Sequence, residues 1–159
     1  MAATAVLGTR LYTSATALVD IDGSADAIGD FTGLTIATEI GLVENFGELG
    51  RVFEMVPFVS VAEGRTRKLK GAYNDGQIQL TVGQDLSDAG QLALKTYADA
   101  SNQNTYPFKM VLVGADASYD TIYFGAKVMS FRTQLGSANS VVKAMITLEI
   151  NTTIFTGAA

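Results

Sequence analysis

Gly64-Arg65-Thr66-Arg67-Lys68-Leu69-Lys70-Gly71-Ala72-Tyr73-Asn74-Asp75-Gly76-Gln77-Ile78-Gln79-Leu80-Thr81-Val82 is the stretch that decides the fold. A basic arm runs into a turn and then into a strand. Asp75-Gly76 predicts the turn, because Gly takes positive φ cheaply and Asp tolerates it. From there the side chains alternate. Gln77, Gln79 and Thr81 point one way, and Ile78, Leu80 and Val82 the other, which is the period of a half-buried strand. Asp85-Leu86-Ser87-Asp88 then opens a helix near residues 86–100. Asp85 is the expected N-cap, with Asp88 favouring the positive end of the helix dipole. Leu86, Ala89, Ala93 and Tyr97 form its apolar stripe, flanked by Leu92 and Leu94. No other segment carries a strong helix pattern.

Upstream, residues 32–44 read as one long strand, with Ile36, Ile40 and Leu42 on one face. Phe46-Gly47-Glu48-Leu49-Gly50 turns the chain, and residues 51–60 return as a second strand that would pair with the first. Pro57 assigns that strand to an edge or a bulge. Residues 1–31 read as an acidic, small-residue arm or loop, with a short strand from Arg10 to Ser14. Downstream, Phe108 to Val113, Thr121 to Leu135 and Val141 to Thr153 are strands. In the last, Ala144, Ile146, Leu148 and Ile150 face inward, while Lys143, Met145, Thr147, Glu149 and Asn151 face away. The order predicts a single mainly-β domain over 1–159, with a core over 32–155. Its form would be an antiparallel β-sandwich or barrel carrying one packed α-helix. Long uncovered edges are aggregation hazards, so closure is expected, either locally or across subunits.

With 159 residues, 48% apolar and 17% charged, the chain can bury a real core and is not disordered. No apolar run reaches membrane-span length, so no membrane insertion is expected. The sequence contains no Cys, His or Trp. Disulfides, thiolate zinc sites and histidine-based triads are thereby excluded. Net charge is −5, and residues 1–50 hold seven acids against the single base Arg10. That balance argues against a conventional nucleic-acid-binding domain.

Candidate chemical sites are weak. Asp20-Ile21-Asp22-Gly23-Ser24 resembles the start of a calcium loop, but its closing position is Phe31 rather than an acid. Glu39, Glu44, Glu48 and Glu54 are carboxylates near a strand pair, yet nothing fixes the opposed separation that glycoside hydrolysis requires. Arg65, Arg67, Lys68 and Lys70 lack the glycine spacing of a phosphate loop. A mobile loop pairing with acids on another subunit explains them at least as well. Neither an enzyme nor a cofactor is expected. A β-sandwich that binds carbohydrate or a host surface is an alternative, disfavoured by the absence of Trp.

The run from Phe46 to Val82 resembles the major tail tube proteins of long-tailed bacteriophages (siphophages). The matching pieces are Gly47, Arg51 to Pro57, Arg67-Lys68-Leu69-Lys70-Gly71, Asn74-Asp75-Gly76-Gln77-Ile78, and Asp85-Leu86-Ser87-Asp88 leading to Leu92-Ala93-Leu94. Tyr106-Pro107-Phe108, Tyr123-Phe124-Gly125-Ala126-Lys127-Val128 and Val141 to Asn151 extend the resemblance, which covers residues 32–155. It implies a tail-tube fold, similar also to type VI secretion tube proteins. It further implies a virion protein assembled in the host cytoplasm into hexameric rings that stack as a hollow tail tube. A tape measure protein would fill the lumen until phage DNA is ejected through it, and tail tip and tail terminator proteins would bound the tube. The tube of a secretion or contractile apparatus is the alternative within this class. Six copies of a −5 chain carry a ring charge of about −30, which repels a phosphate backbone. The expected lumen-lining residues are Glu39, Glu54, Thr147, Glu149 and Asn151, although Arg132 and Lys143 on the same strands count against a uniformly acidic face. The expected contact residues between subunits or rings are Arg65, Arg67, Lys68 and Lys70. Their acidic partners would include Asp20, Asp22, Asp26 and Asp30.

Overall fold

A computed structural model describes residues 5–18, 28–113 and 121–157. Its elements are β1 (Ala5–Thr13), α1 (Ile28–Thr32), β2 (Thr38–Ile40), β3 (Val43–Asn45), β4 (Val52–Val59), β5 (Thr66–Asn74), β6 (Gln77–Gly83), α2 (Ala89–Tyr97), β7 (Tyr106–Val113), β8 (Thr121–Gln134), β9 (Lys143–Ile150) and β10 (Phe155–Gly157). The main sheet is antiparallel and runs β2-β1-β7-β8-β9-β6-β3, with β10 added to β8. β4 and β5 pair only with each other and form a separate two-stranded ribbon.

The strand order forces closure. β2 and β3 are opposite ends of the sheet, yet only Gly41 and Leu42 separate them in the chain. Three peptide links span at most roughly 11 Å, so the two edges of the sheet must meet. The sheet is therefore wrapped into a barrel whose seam is this two-residue corner. Leu42 takes a left-handed conformation there, with φ 56°.

Alternation fills the barrel. Ile78, Leu80 and Val82 of β6 and Ala144, Ile146, Leu148 and Ile150 of β9 are all buried, as their period-two spacing requires. Phe108 and Phe124 stack at 5.5 Å between ring centroids in the same core. Burying each such side chain contributes about 1.5–3 kcal/mol. A second, smaller cluster lies apart: Phe31, Ile36 and Tyr123 pack with Tyr12, Leu34 and Phe155. Through these residues α1 packs against the side of β1 and β8 that faces away from the barrel core, beside β10.

Helix α2 seals the seam. Gly90 comes so close to the backbone of Glu39 and Ile40 that a Cβ would overlap the Glu39 carbonyl, and only glycine fits. Asp88 caps the helix by accepting from Gln91 N at 2.9 Å and also accepts from Gly41 N at 3.2 Å. The buried Gln91 donates from Nε2 to Gly41 O at 3.1 Å and Gly83 O at 2.8 Å, and its Oε1 accepts from Asp85 N at 2.9 Å. One amide thus holds both sides of the corner and the chain entering the helix.

Five expectations are corrected. Asp85 is not the N-cap; it makes an Asx turn with Ser87, whose Oγ and then N lower its carboxyl pKa. The buried helix face is Gly90, Gln91, Leu94 and Tyr97, leaving Leu86, Ala89 and Leu92 exposed. Residues 32–44 are not one strand, because the Gly41-Leu42 corner breaks it: Ile36 enters the small cluster, Ile40 the barrel, and Leu42 is exposed. The expected hairpin of residues 32–44 with 51–60 is absent, since β4 pairs with β5 instead. The amino-terminal region is not merely an arm, because β1 lies inside the sheet between β2 and β7, and α1 adds a second helix.

Candidate assembly interface

The β4–β5 ribbon is the structural outlier. Every residue of β4 is exposed, and of β5 only Gly71 is partly covered. The exposed set includes Phe53, Met55, Val56, Phe58, Val59 and Leu69. A lone two-stranded hairpin is marginal in water, and so much open apolar surface marks an interaction site. Its strands reach roughly 25 Å from root to tip at the usual rise.

The root is anchored. Arg51 Nε donates to Asp75 Oδ1 at 2.7 Å, and its guanidinium lies 4.1 Å from the centre of the Tyr73 ring. The Asp75 hydrogen bond raises the Arg51 pKa above its ordinary value. Phe53 and Tyr73 meet at 5.7 Å, and Lys70 Nζ lies 4.9 Å from the centre of the Phe53 ring. Farther out, Glu54 of β4 opposes both Gly71 and Ala72, a β-bulge that bends the ribbon. At the tip, Gly64 N donates to Ser60 O, and Arg67 grips Glu63 through Nε and Nη2.

This geometry sorts the basic arm. The segment is a strand rather than a loop, because its partner β4 supplies a full register from Val52↔Asn74 to Val59↔Thr66. Arg67 shares a ribbon face with Leu69, and Lys68 shares the other with Lys70. Arg67 is paired with Glu63, and Lys70 lies over Phe53. Arg65 and Lys68 have no ion-pair partner among the described residues. Of their expected partners, Asp20, Asp22 and Asp26 lie outside the described residues, as does the candidate calcium loop. Asp30 is an exposed residue of α1.

The outer sheet surface away from α1 is open. Across β6, β9 and β8 it presents the rows Gln77–Glu149–Lys127, Gln79–Thr147–Ser130 and Thr81–Met145–Arg132. Lys143 at its end pairs with Glu44 at 2.7 Å. The surface is therefore mostly polar and carries both signs, with Arg132 in no ion pair among the described residues. Of the expected lumen residues, only Thr147 and Glu149 share it. Asn151 sits just past β9, donating from Nδ2 to Thr105 Oγ1. Glu39 is on β2 beside Arg10 at 3.4 Å, and Glu54 is on the ribbon. The carboxylates Glu39, Glu44, Glu48 and Glu54 are thus dispersed over separate elements. Among the described residues no group of three His, Cys, Asp or Glu is placed to hold a metal, and no helix is long and apolar enough to cross a membrane.

A closed antiparallel barrel, a helix across its seam and a projecting hairpin define the tail-tube fold. Three solved structures share it. A chain of the anti-feeding prophage baseplate superposes with TM-score 0.70 at 14% identity, covering 98% of this chain and 96% of that one. A chain from the sheath/tube terminator structure of an extracellular contractile injection system gives TM-score 0.66 at 14% identity, covering 99% of each. The tail tube of SPP1 gives TM-score 0.58 at 14% identity, covering 98% of this chain and 80% of that one. No protein-family model matches the sequence, and no curated protein does.

Proposed function

We propose that this protein is a structural tube subunit that performs no chemistry of its own. Its copies form six-membered rings, the rings stack into a hollow tube, and the tube conducts phage DNA during infection. The observation that carries this reading is the unsupported β4–β5 ribbon on a body of tail-tube fold. Among the described residues the ribbon carries the densest run of exposed apolar side chains, so it is the surface that most calls for a partner. The open β6–β9–β8 surface supplies a lining suited to a conduit. Amides and hydroxyls dominate it and Glu149 opposes Lys127, which limits the attraction for phosphate; of these rows only Arg132 is a cation with no acid across from it, and it would add salt-dependent retention. A tape measure protein would occupy the lumen before DNA, and tip and terminator proteins would close the ends.

A second reading is a tube of a contractile injection apparatus. It is favoured by the higher TM-scores to the two injection-system chains than to the SPP1 tube. Negative-stain electron microscopy over a concentration series tests the shared claim. Rings or hollow tubes of uniform width are expected. Monomers alone at every protein and salt concentration would refute it.

A further inference from the structure

We propose that the cleft at the ribbon's root receives the ribbon tip of a second copy, with Arg65 of one chain set against Glu54 of the next. This deepens the tube reading and rests on it. The cleft is ≈ 650 Å³ and its lining includes Val52, Glu54, Tyr73, Asp75, Ile150 and Asn151. That size suits a few side chains. Glu54 has no ion-pair partner among the described residues, and neither does Arg65. They cannot satisfy one another within a chain, because the five strand residues after Glu54 alone span roughly 17 Å. Beside Arg65, Val61 at the tip is fully exposed, and Val52 in the cleft is also open. One end thus offers a cation beside an apolar side chain, and the other an anion beside an apolar wall. The neighbouring cleft, lined by Arg51, Phe53, Asp75, Ile122 and Ile154, shares Asp75, which Arg51 already holds, and has no second carboxylate corresponding to Glu54. Tip and cleft are different surfaces, so a one-way contact between copies is heterologous. Repeated head to tail, it either closes into a ring or runs on from ring to ring as an open stack.

The test is a charge swap. Glu54→Lys and Arg65→Glu, each shown to fold by its circular dichroism and melting, should raise the critical concentration for polymerisation at least about tenfold. An equimolar mixture of the two should recover. The cleft of the Glu54→Lys chain accepts the tip of the Arg65→Glu chain, and the remaining cleft and tip are native. The double variant should recover because its altered cleft and altered tip are again opposite in charge. Normal polymerisation by both single variants would overturn the contact, and so would a mixture and a double variant that stay inactive. The chain has no Cys, so mixing Val61→Cys and Val52→Cys chains gives an independent readout. Oxidation should yield covalent pairs of unlike chains, and their absence within assembled tubes would also overturn the contact. Unmodified protein that never polymerises would remove the tube reading and this contact together. Unmodified tubes with unaffected variants would remove the contact alone.

Discussion

Replacing Gln91 by alanine should open the seam of the barrel. The side chain is 2% exposed and makes three hydrogen bonds, all to backbone groups of residues flanking the corner and the helix entry. Truncation leaves two carbonyls and one N–H without that partner, each costing about 1–3 kcal/mol if it stays dry. Water entering the vacated space recovers part of this, and the better helix propensity of alanine recovers a few tenths. A net loss of about 3–5 kcal/mol follows. For a chain of this length each kcal/mol moves the melting temperature about 2–4 °C, so a drop of about 10 °C is expected. Urea titration monitored by circular dichroism measures the loss directly. Leu92→Ala, one residue along on the exposed face, is the control and should stay within about 0.5 kcal/mol. Gln91→Glu sharpens the test. At low pH the protonated acid still donates one hydrogen bond, whereas the carboxylate faces two carbonyl oxygens. Burial raises the folded-state pKa of that glutamate above its unfolded value. Its stability is thus greatest below the unfolded pKa and is lost as pH rises through the folded one. A Gln91→Ala protein within about 1 kcal/mol of the parent, or a Gln91→Glu protein with unchanged pH dependence, would refute the reasoning.

Asp88→Ala removes the helix cap and the Gly41 N–H acceptor together, and should cost about 2 kcal/mol. Combined with Gln91→Ala, urea titration should show less than the sum, because both belong to one network. Gly71→Val places a Cβ 2.8 Å from Val56 Cγ2 and 3.2 Å from Glu54 O. It should therefore abolish polymers seen by electron microscopy while leaving the body's unfolding within about 0.5 kcal/mol of the parent, since the ribbon lies outside the core. Gln79→Arg adds to Arg132 a second uncompensated cation on the open sheet surface. Assembled tubes of this variant should retain DNA in a filter assay, and the retention should fall steeply with salt; equal retention by variant and parent would place that surface away from the lumen.

The sequence was most legible where one face of a strand is buried and the other is not. β6 and β9 alternate so cleanly that their inward residues could be named in advance. The long β8 was legible only as a β-rich run, because residues 123–126 are all buried, with Tyr123 and Phe124 in different clusters, and show no alternation. The seam was not. Its corner depends on Leu42 taking a left-handed conformation and on contacts to Gln91, 50 residues away from Gly41. No local pattern reports either. Asp85 and Asp88 offered equivalent caps by composition, and only the approach of Gly90 to Glu39 selects the second. β5 was misread as a loop because a ribbon exposed on both faces needs no alternation, so its charges resembled those of a solvated arm. Thr147 and Glu149 were placed on the open surface because β9 has a simple register. Glu39 and Glu54 do not share that surface, because their strands pair with β1 and β5 rather than with each other.

The difference between ribbon and barrel also bears on the order of events during folding. Ribbon pairs such as Val59↔Thr66 are close in the chain, whereas the barrel must join Leu11 to Met110. Local contacts form before distant ones, because less loop entropy is lost in making them. The ribbon's pairs are thus the first to form, together with its exposed tip, and they are held once the body anchors the root. The cleft at its base comes later, since Ile150 and Asn151 from the end of β9 form one wall. A growing chain can therefore offer a tip before it can accept one. Its ability to be extended arrives only when the last long strand closes the barrel, so an unfinished subunit would cap a filament instead of continuing it.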